Sequence, residues 1–304
     1  MIAVDLATDG SKMKDVYDFE NFRSSKFSEQ LHYLVAGHPI SHSLSPLMHN
    51  IALQHHGIDA AYVAVDLDAQ SLSDFTDWMN NDSFLGCNIT IPYKQQLLTL
   101  TDLLSEEAEA LGAINTIAKN KAGSELTGYN TDIFGFKQPL LKFKNRLDYD
   151  RAIVFGTGGA SLAVQYALWD LGFEEIIIVS RSPDRVNTFK NDQNVRLVDY
   201  TQWQEFALET SLIVNTTPLG MGELKNESVV QPSDSELLEN KLCYDLVYNP
   251  LNTRFLQLAA DAGATTINGL DMLIHQGSRS FEIWTGYSFP IEIVKRELLT
   301  FFND

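Results

Sequence analysis

Arg151-Ala-Ile-Val-Phe-Gly-Thr-Gly-Gly-Ala160-Ser161 is a short apolar run that empties into a glycine turn, and a helical pattern continues from Ala160 to Leu171. A buried-type strand, Arg151–Phe155, feeding such a turn and then a helix is the opening of a βαβ unit. Gly156 allows the tight turn, and Gly158 lets the backbone come close to an anion seated on the helix N-terminus. Thr157, Gly159 and Ala160 complete the turn. The place of a customary third glycine is taken by Ser161, which is small enough for helix–strand packing.

The next strand, Glu175–Ser180, is apolar throughout, as a strand covered on both faces must be. Its end is where a dinucleotide site chooses its cofactor. A carboxylate there would hold a ribose 2′-hydroxyl. This chain instead has Ser180-Arg181-Ser182-Pro-Asp-Arg185, hydroxyls and guanidinium groups. A guanidinium donates two parallel hydrogen bonds to a phosphate. The stretch therefore predicts NADP rather than NAD. Further strands at Ser211–Asn215, Leu242–Val247 and Ala264–Ile267 extend the alternation, and Leu270–Asp304 reads as helical and rich in aromatics.

Before the glycine turn the texture is also α/β. Leu31–Ala36, Ala60–Asp66 and Phe84–Ile91 read as strands. Ser45-Pro46 opens a helix that Gly57 ends, with Ser45 as its cap. Helices are expected around 71–79, 94–100 and 105–111, then a hairpin, 113–118 with 125–128, and a helix over 131–143. The expected fold is α/β with two domains: a substrate domain at 31–135 and a Rossmann-type nucleotide domain at 136–270. Residues 1–30 are an extension or early helix, and helices at 271–304 return to the first domain.

Composition bounds the function. The 304 residues carry 22 basic and 40 acidic side chains, a net charge of −18. That balance disfavours nucleic acid and anionic membrane surfaces as partners. Two cysteines make no disulfide framework, and no apolar run is long enough to span a bilayer. A cytoplasmic, reducing setting is the expectation, as a monomer or homodimer. His38, His42, His49, His55 and His56 cluster in sequence but lack an acidic or Cys partner at ligand spacing, so no metal is expected. Residues 31–135 hold only 3 basic residues against 12 acidic ones. Two of the three flank a polar turn. The third, Lys94, follows the apolar run Cys87-Asn-Ile-Thr-Ile-Pro92 at the start of a helix, where a cation opposes the dipole.

Polar residues recur at the strand ends of this region. Asn88 and Thr90 share one face of a strand. Asn115 lies in a similar apolar run, Asp132 ends Tyr129-Asn-Thr-Asp132, and Ser43 and Ser45 precede the first helix. Singly, each has an ordinary structural reading. Together they offer hydroxyl, amide, ammonium and carboxylate groups suited to a small polyhydroxylated carboxylate. Lys94 and Asp132 are the natural acid–base pair.

These stretches, with Gly37-His-Pro-Ile-Ser-His-Ser-Leu-Ser-Pro46, Asn88-Ile-Thr-Ile-Pro-Tyr-Lys94, Gly112-Ala-Ile-Asn-Thr116, Asn215-Thr-Thr-Pro-Leu-Gly-Met221, Tyr244-Asp-Leu-Val-Tyr-Asn-Pro250 and Gly269-Leu-Asp-Met-Leu-Ile-His-Gln276, resemble the shikimate dehydrogenase family from about His32 to the C-terminal helices. The resemblance implies NADP-linked, reversible reduction of 3-dehydroshikimate to shikimate. It implies Lys94 as the catalytic residue paired with Asp132. Ser43 and Ser45 would hold the substrate carboxylate, Thr90, Lys94, Asn115, Asp132 and Gln276 would surround the ring hydroxyls, and Asn88 is a further substrate-binding candidate. Tyr248 falls on the substrate side, and Leu246 and Gly269 fall near the nicotinamide. The family's Asn-Arg-Thr stretch appears here as Ser180-Arg181-Ser182. A quinate-preferring enzyme and a non-catalytic ligand-binding relative are the competing readings.

Overall fold

The computed structural model describes residues 16–123, 125–182 and 195–303. The chain divides into two compact units, one reaching Thr131 and resuming at Gly277, the other running from Asp132 to Gln276. The sequence reading draws these divisions a few residues away, at 135 and 270.

The first unit is built on a mixed sheet. Its strands are β1 (Val16–Asp18), β2 (His32–Gly37), β3 (Ala61–Asp66), β4 (Phe84–Ile89), β5 (Leu103–Leu104), β6 (Thr116–Lys119) and β7 (Leu126–Tyr129). They lie in the order β1-β3-β2-β4-β6-β7-β5. β1 to β4 pair in parallel, and the expected hairpin adds β6 and β7 antiparallel. Residues 16–30 are more than an appendage. β1 extends the sheet beyond β3, and the short helix Phe19–Arg23, capped by Asp18, buries Phe19 and Phe22 in the core. The helix Ser45–His56 ends, as expected, at a left-handed Gly57. Ser45 is not its cap. Leu44 occupies that position without a side-chain hydrogen bond, and Ser45 is already helical.

The second unit carries β8 (Arg151–Phe155), β9 (Glu175–Val179), β10 (Val195–Val198), β11 (Leu212–Asn215), β12 (Leu242–Asp245) and β13 (Thr265–Ile267). All pair in parallel, in the order β10-β9-β8-β11-β12-β13. The chain winds one way from β8 and then, after returning to its other side, the opposite way. That reversal is the switch point at which doubly wound sheets bind their ligands, beside the carboxyl end of the first strand. Ile153, Phe155, Ile177, Val179, Ile213 and Cys243 form part of the core beneath it. β10 was not anticipated, because this edge strand is mostly half-exposed and lacks the apolar run of its neighbours.

Candidate active site

In the first unit, strand ends and helix starts gather the polar residues into one buried hydrogen-bonded cluster. Asn88 lies on β4 and is 5% exposed. The Tyr62 hydroxyl donates to its Oδ1 at 2.6 Å, and its Nδ2 donates to Thr116 Oγ1 at 3.0 Å and Ser280 Oγ at 2.9 Å. Asn115 Oδ1 accepts from the Thr131 N–H at 2.7 Å, and Thr116 Oγ1 lies 2.8 Å from Ser280 Oγ. Ser43 Oγ accepts from the Ser45 N–H at 3.3 Å, a bond that lies outside this cluster. Buried polar groups of this kind fix one arrangement because an unmade bond costs about 1–3 kcal/mol.

Thr90 lies one residue past β4, tied by its N–H to the Ala36 carbonyl. Gly37 makes this possible: a side chain there would run into Thr90 Cγ2 at 2.3 Å. Lys94 follows, half-buried, on the turn before the helix Gln96–Leu100, and its carbonyl accepts from the Ile114 N–H at 2.8 Å. That bond ties the lysine's segment to the residue before Asn115. The cluster therefore joins Asn88 and Asn115 directly, with Ser43 and Ser45 bonded to each other and Thr90 and Lys94 held through backbone. Tyr62 and Ser280 were missed in the sequence. Tyr62 reads as an ordinary strand tyrosine, and Ser280 lies 192 residues from Asn88.

In the second unit, Asp132 is the first residue of the helix Asp132–Leu141 and is 8% exposed. Gly135, one turn on, brings this helix against the helix Gly269–Thr285: a Cβ there would lie 2.8 Å from the Gln276 Cβ. Gln276 Nε2 donates to the Leu273 carbonyl at 2.8 Å. Tyr248 is half-buried beyond β12, and burial pushes its phenol up from the usual tyrosine range. Gly269 packs on Leu246 so closely that a Cβ would sit 2.0 Å from the Leu246 carbonyl oxygen.

The glycine turn fits a pyrophosphate. Gly156 has φ 110°, a conformation that favours glycine, and a Cβ on it would meet Thr216 Oγ1 at 2.5 Å. Around Gly158 and Gly159 a Cβ would meet nothing within 4 Å, so the backbone there is open to a ligand. Gly158 caps the helix Gly159–Asp170 without a side-chain hydrogen bond, leaving the first N–H groups to an anion. Ser161 does what its size promised and one thing more, donating to the Gly156 carbonyl at 2.8 Å and closing the turn. Thr157 is exposed and Ala160 half-buried. At the end of β9, Ser180 Oγ accepts from the Ser182 N–H at 3.1 Å, and Arg181 is exposed. Arg185 lies outside the described residues. No helix among the described residues is long and apolar enough to cross a membrane.

Comparison with known proteins places the chain in a family. Residues 35–117 match the family model for the shikimate dehydrogenase substrate binding domain, and residues 269–299 match that for the shikimate 5'-dehydrogenase C-terminal domain. A shikimate dehydrogenase (NADP(+)) of Synechocystis sp. is 36% identical over 276 residues, covering 87% of this chain and 93% of its own. The structure of shikimate 5-dehydrogenase from Thermus thermophilus in complex with NADP(H) and shikimate is 34% identical, with a TM-score of 0.77 over 88% of this chain and 98% of its own. Quinate dehydrogenase from Corynebacterium glutamicum in complex with NAD is 28% identical, with a TM-score of 0.80 over 89% and 99%. A fold shared with a quinate enzyme does not by itself fix the substrate, but identity at this level over nearly the whole length fixes the lineage: the chain belongs to the shikimate dehydrogenase family.

Proposed function

We propose that this chain catalyses the reversible, NADP-linked reduction of 3-dehydroshikimate to shikimate. The observation that carries the reading is the buried cluster joining Tyr62, Asn88, Asn115 and Thr116, with Lys94 tied to its edge. A set of hydroxyls and amides held rigid in this way orients a polyhydroxylated ring without costing order at the moment of reaction. Ser43 and Ser45 take the substrate carboxylate, with Thr90, Asn88, Asn115, Tyr248 and Gln276 serving the ring. The Gly156–Ala160 turn holds the pyrophosphate, Ser180, Arg181, Ser182 and Arg185 serve the adenosine phosphate, and Leu246 and Gly269 lie on the nicotinamide side.

When bound, NADPH supplies the hydride. Lys94 Nζ hands a proton to the ring oxygen as that oxygen becomes a hydroxyl, and takes it back in the oxidative direction. Asp132 accepts a hydrogen bond and keeps the ammonium and the substrate hydroxyl aligned. The test is NADP reduction followed at 340 nm with shikimate and, separately, with quinate. Lys94→Ala should lower kcat by about 10²–10⁴-fold with a modest change in substrate KM. Full activity in that variant removes Lys94 from the mechanism. Turnover with quinate alone moves the substrate, a reading that the likeness to the Corynebacterium enzyme keeps in the experiment.

A further inference from the structure

Asp245 is a carboxylate to which the acid–base step gives no task. It ends β12 and is fully buried. Its Oδ1 accepts from Asn215 Nδ2 at 2.9 Å and from the Val247 N–H at 3.0 Å, and its Oδ2 accepts from the Thr253 hydroxyl at 2.6 Å. Every one of these partners is uncharged. On its own strand, Cys243 is kept neutral by burial that pushes its thiol up to about 12, and the Tyr244 phenol is pushed up as well. β11 and β13, which flank it, carry no charged residue. Arg254 begins the helix that Thr253 caps and forms no ion pair with Asp245 among the described residues.

Burial, with no counter-ion among the described residues, raises the Asp245 carboxyl to about 6. Its contribution to stability is therefore most favourable below the unfolded carboxylate range, near pH 4, and is lost as pH rises from there through about 6. At neutral pH the fold bears a buried anion that would cost it less when protonated. The anion sits at the carboxyl ends of the parallel strands, directly before Leu246, against whose carbonyl Gly269 packs. Leu246 and Gly269 are the positions assigned above to the nicotinamide side. Of the two forms of a nicotinamide, the oxidised ring is cationic and the reduced ring is neutral.

Resting on that NADP reading, we propose that the Asp245 carboxylate is an electrostatic positioning residue that favours the oxidised cofactor over the reduced one. A residue that merely held its loop together would move the affinity for both forms alike.

The experiment is isothermal titration of the full chain with NADP+ and with NADPH, for wild type and Asp245→Asn, at pH 7.5 and pH 5.5. Both forms carry the same 2′-phosphate, so the ratio of their dissociation constants cancels its titration. For Asp245→Asn at pH 7.5 the Kd for NADP+ should rise about tenfold, ~1.4 kcal/mol, with the Kd for NADPH essentially unchanged. In wild type the same ratio should shift against NADP+ at pH 5.5, and in the variant it should not. Parallel weakening of both forms, or an unchanged ratio, overturns the proposal. Should the variant not fold, a wild-type ratio that is constant with pH overturns it. A wild-type chain that binds neither form overturns the NADP reading and this proposal with it.

Discussion

His49 shows how much a single side chain can set the acid behaviour of the protein. It is 1% exposed, stacks on Tyr62 with ring centroids 4.3 Å apart, and has no hydrogen-bond partner for either ring nitrogen among the described residues. Phe281, Trp284 and Phe289 complete its aromatic surroundings. Burial lowers its pKa to about 3, so the folded chain keeps it neutral while the unfolded chain takes up a proton near 6.5. The stability that neutral His49 supports is whole above about pH 6.5 and is lost as pH falls from there toward 3, up to about 5 kcal/mol. Asp245 works in the opposite sense below pH 6. His49→Leu, which cannot protonate, should therefore flatten the decline in melting temperature between pH 6.5 and 4.5. A decline as steep as that of wild type would place the acid sensitivity elsewhere. The cluster around Asn88 is also the surface on which His49 rests, through Tyr62.

At the scale of elements, the first strand and helix carry a testable load. Phe22 is fully buried, with its ring edge-on to His32 at 5.3 Å and to Trp78 at 5.1 Å. Phe22→Ala should destabilise the protein by about 3–5 kcal/mol, read as a fall in the urea midpoint, while kcat of the remaining folded enzyme holds. A midpoint within error of wild type would make residues 16–23 dispensable. The sequence did not advertise this. β1 has three residues, too few for a period, and what makes it a strand is the free edge of β3 that it covers.

The longer elements were legible because their cues are local. Arg151–Phe155 with its glycines, Glu175–Val179 as one apolar run, and Gly57 at a helix end each state their geometry within a few residues. The site was legible in its members and not in its wiring. Ser45 looked like a cap because Ser-Pro usually is one, yet it lies inside the helix and Leu44 takes the cap position, which no pattern within the helix encodes.

For the molecule as a whole, the charge of −18 opposes the approach of an anionic substrate and an anionic cofactor. On the proposed assignment, capture is local, through groups such as Lys94 and Arg181, against a repulsive mean field. Adding salt from about 10 to about 100 mM should then raise kcat/KM for shikimate modestly, because it screens the repulsion over distances beyond the ~10 Å Debye length. A fall over that range would mean that the net field around the site is attractive after all.

The division of the chain also has a biosynthetic consequence. The sheet of the first unit is written before residue 131, but Ser280, which completes the Asn88 cluster, and Trp284, which bonds the Ile117 carbonyl at 2.9 Å, come near the C-terminus. At roughly 5–20 residues per second of translation, the segment 132–276 leaves the ribosome over about 7–29 seconds while those places stand empty. The unit that begins first is finished last, and the nascent nucleotide-binding unit can reach its native core before the polar cluster has its final member.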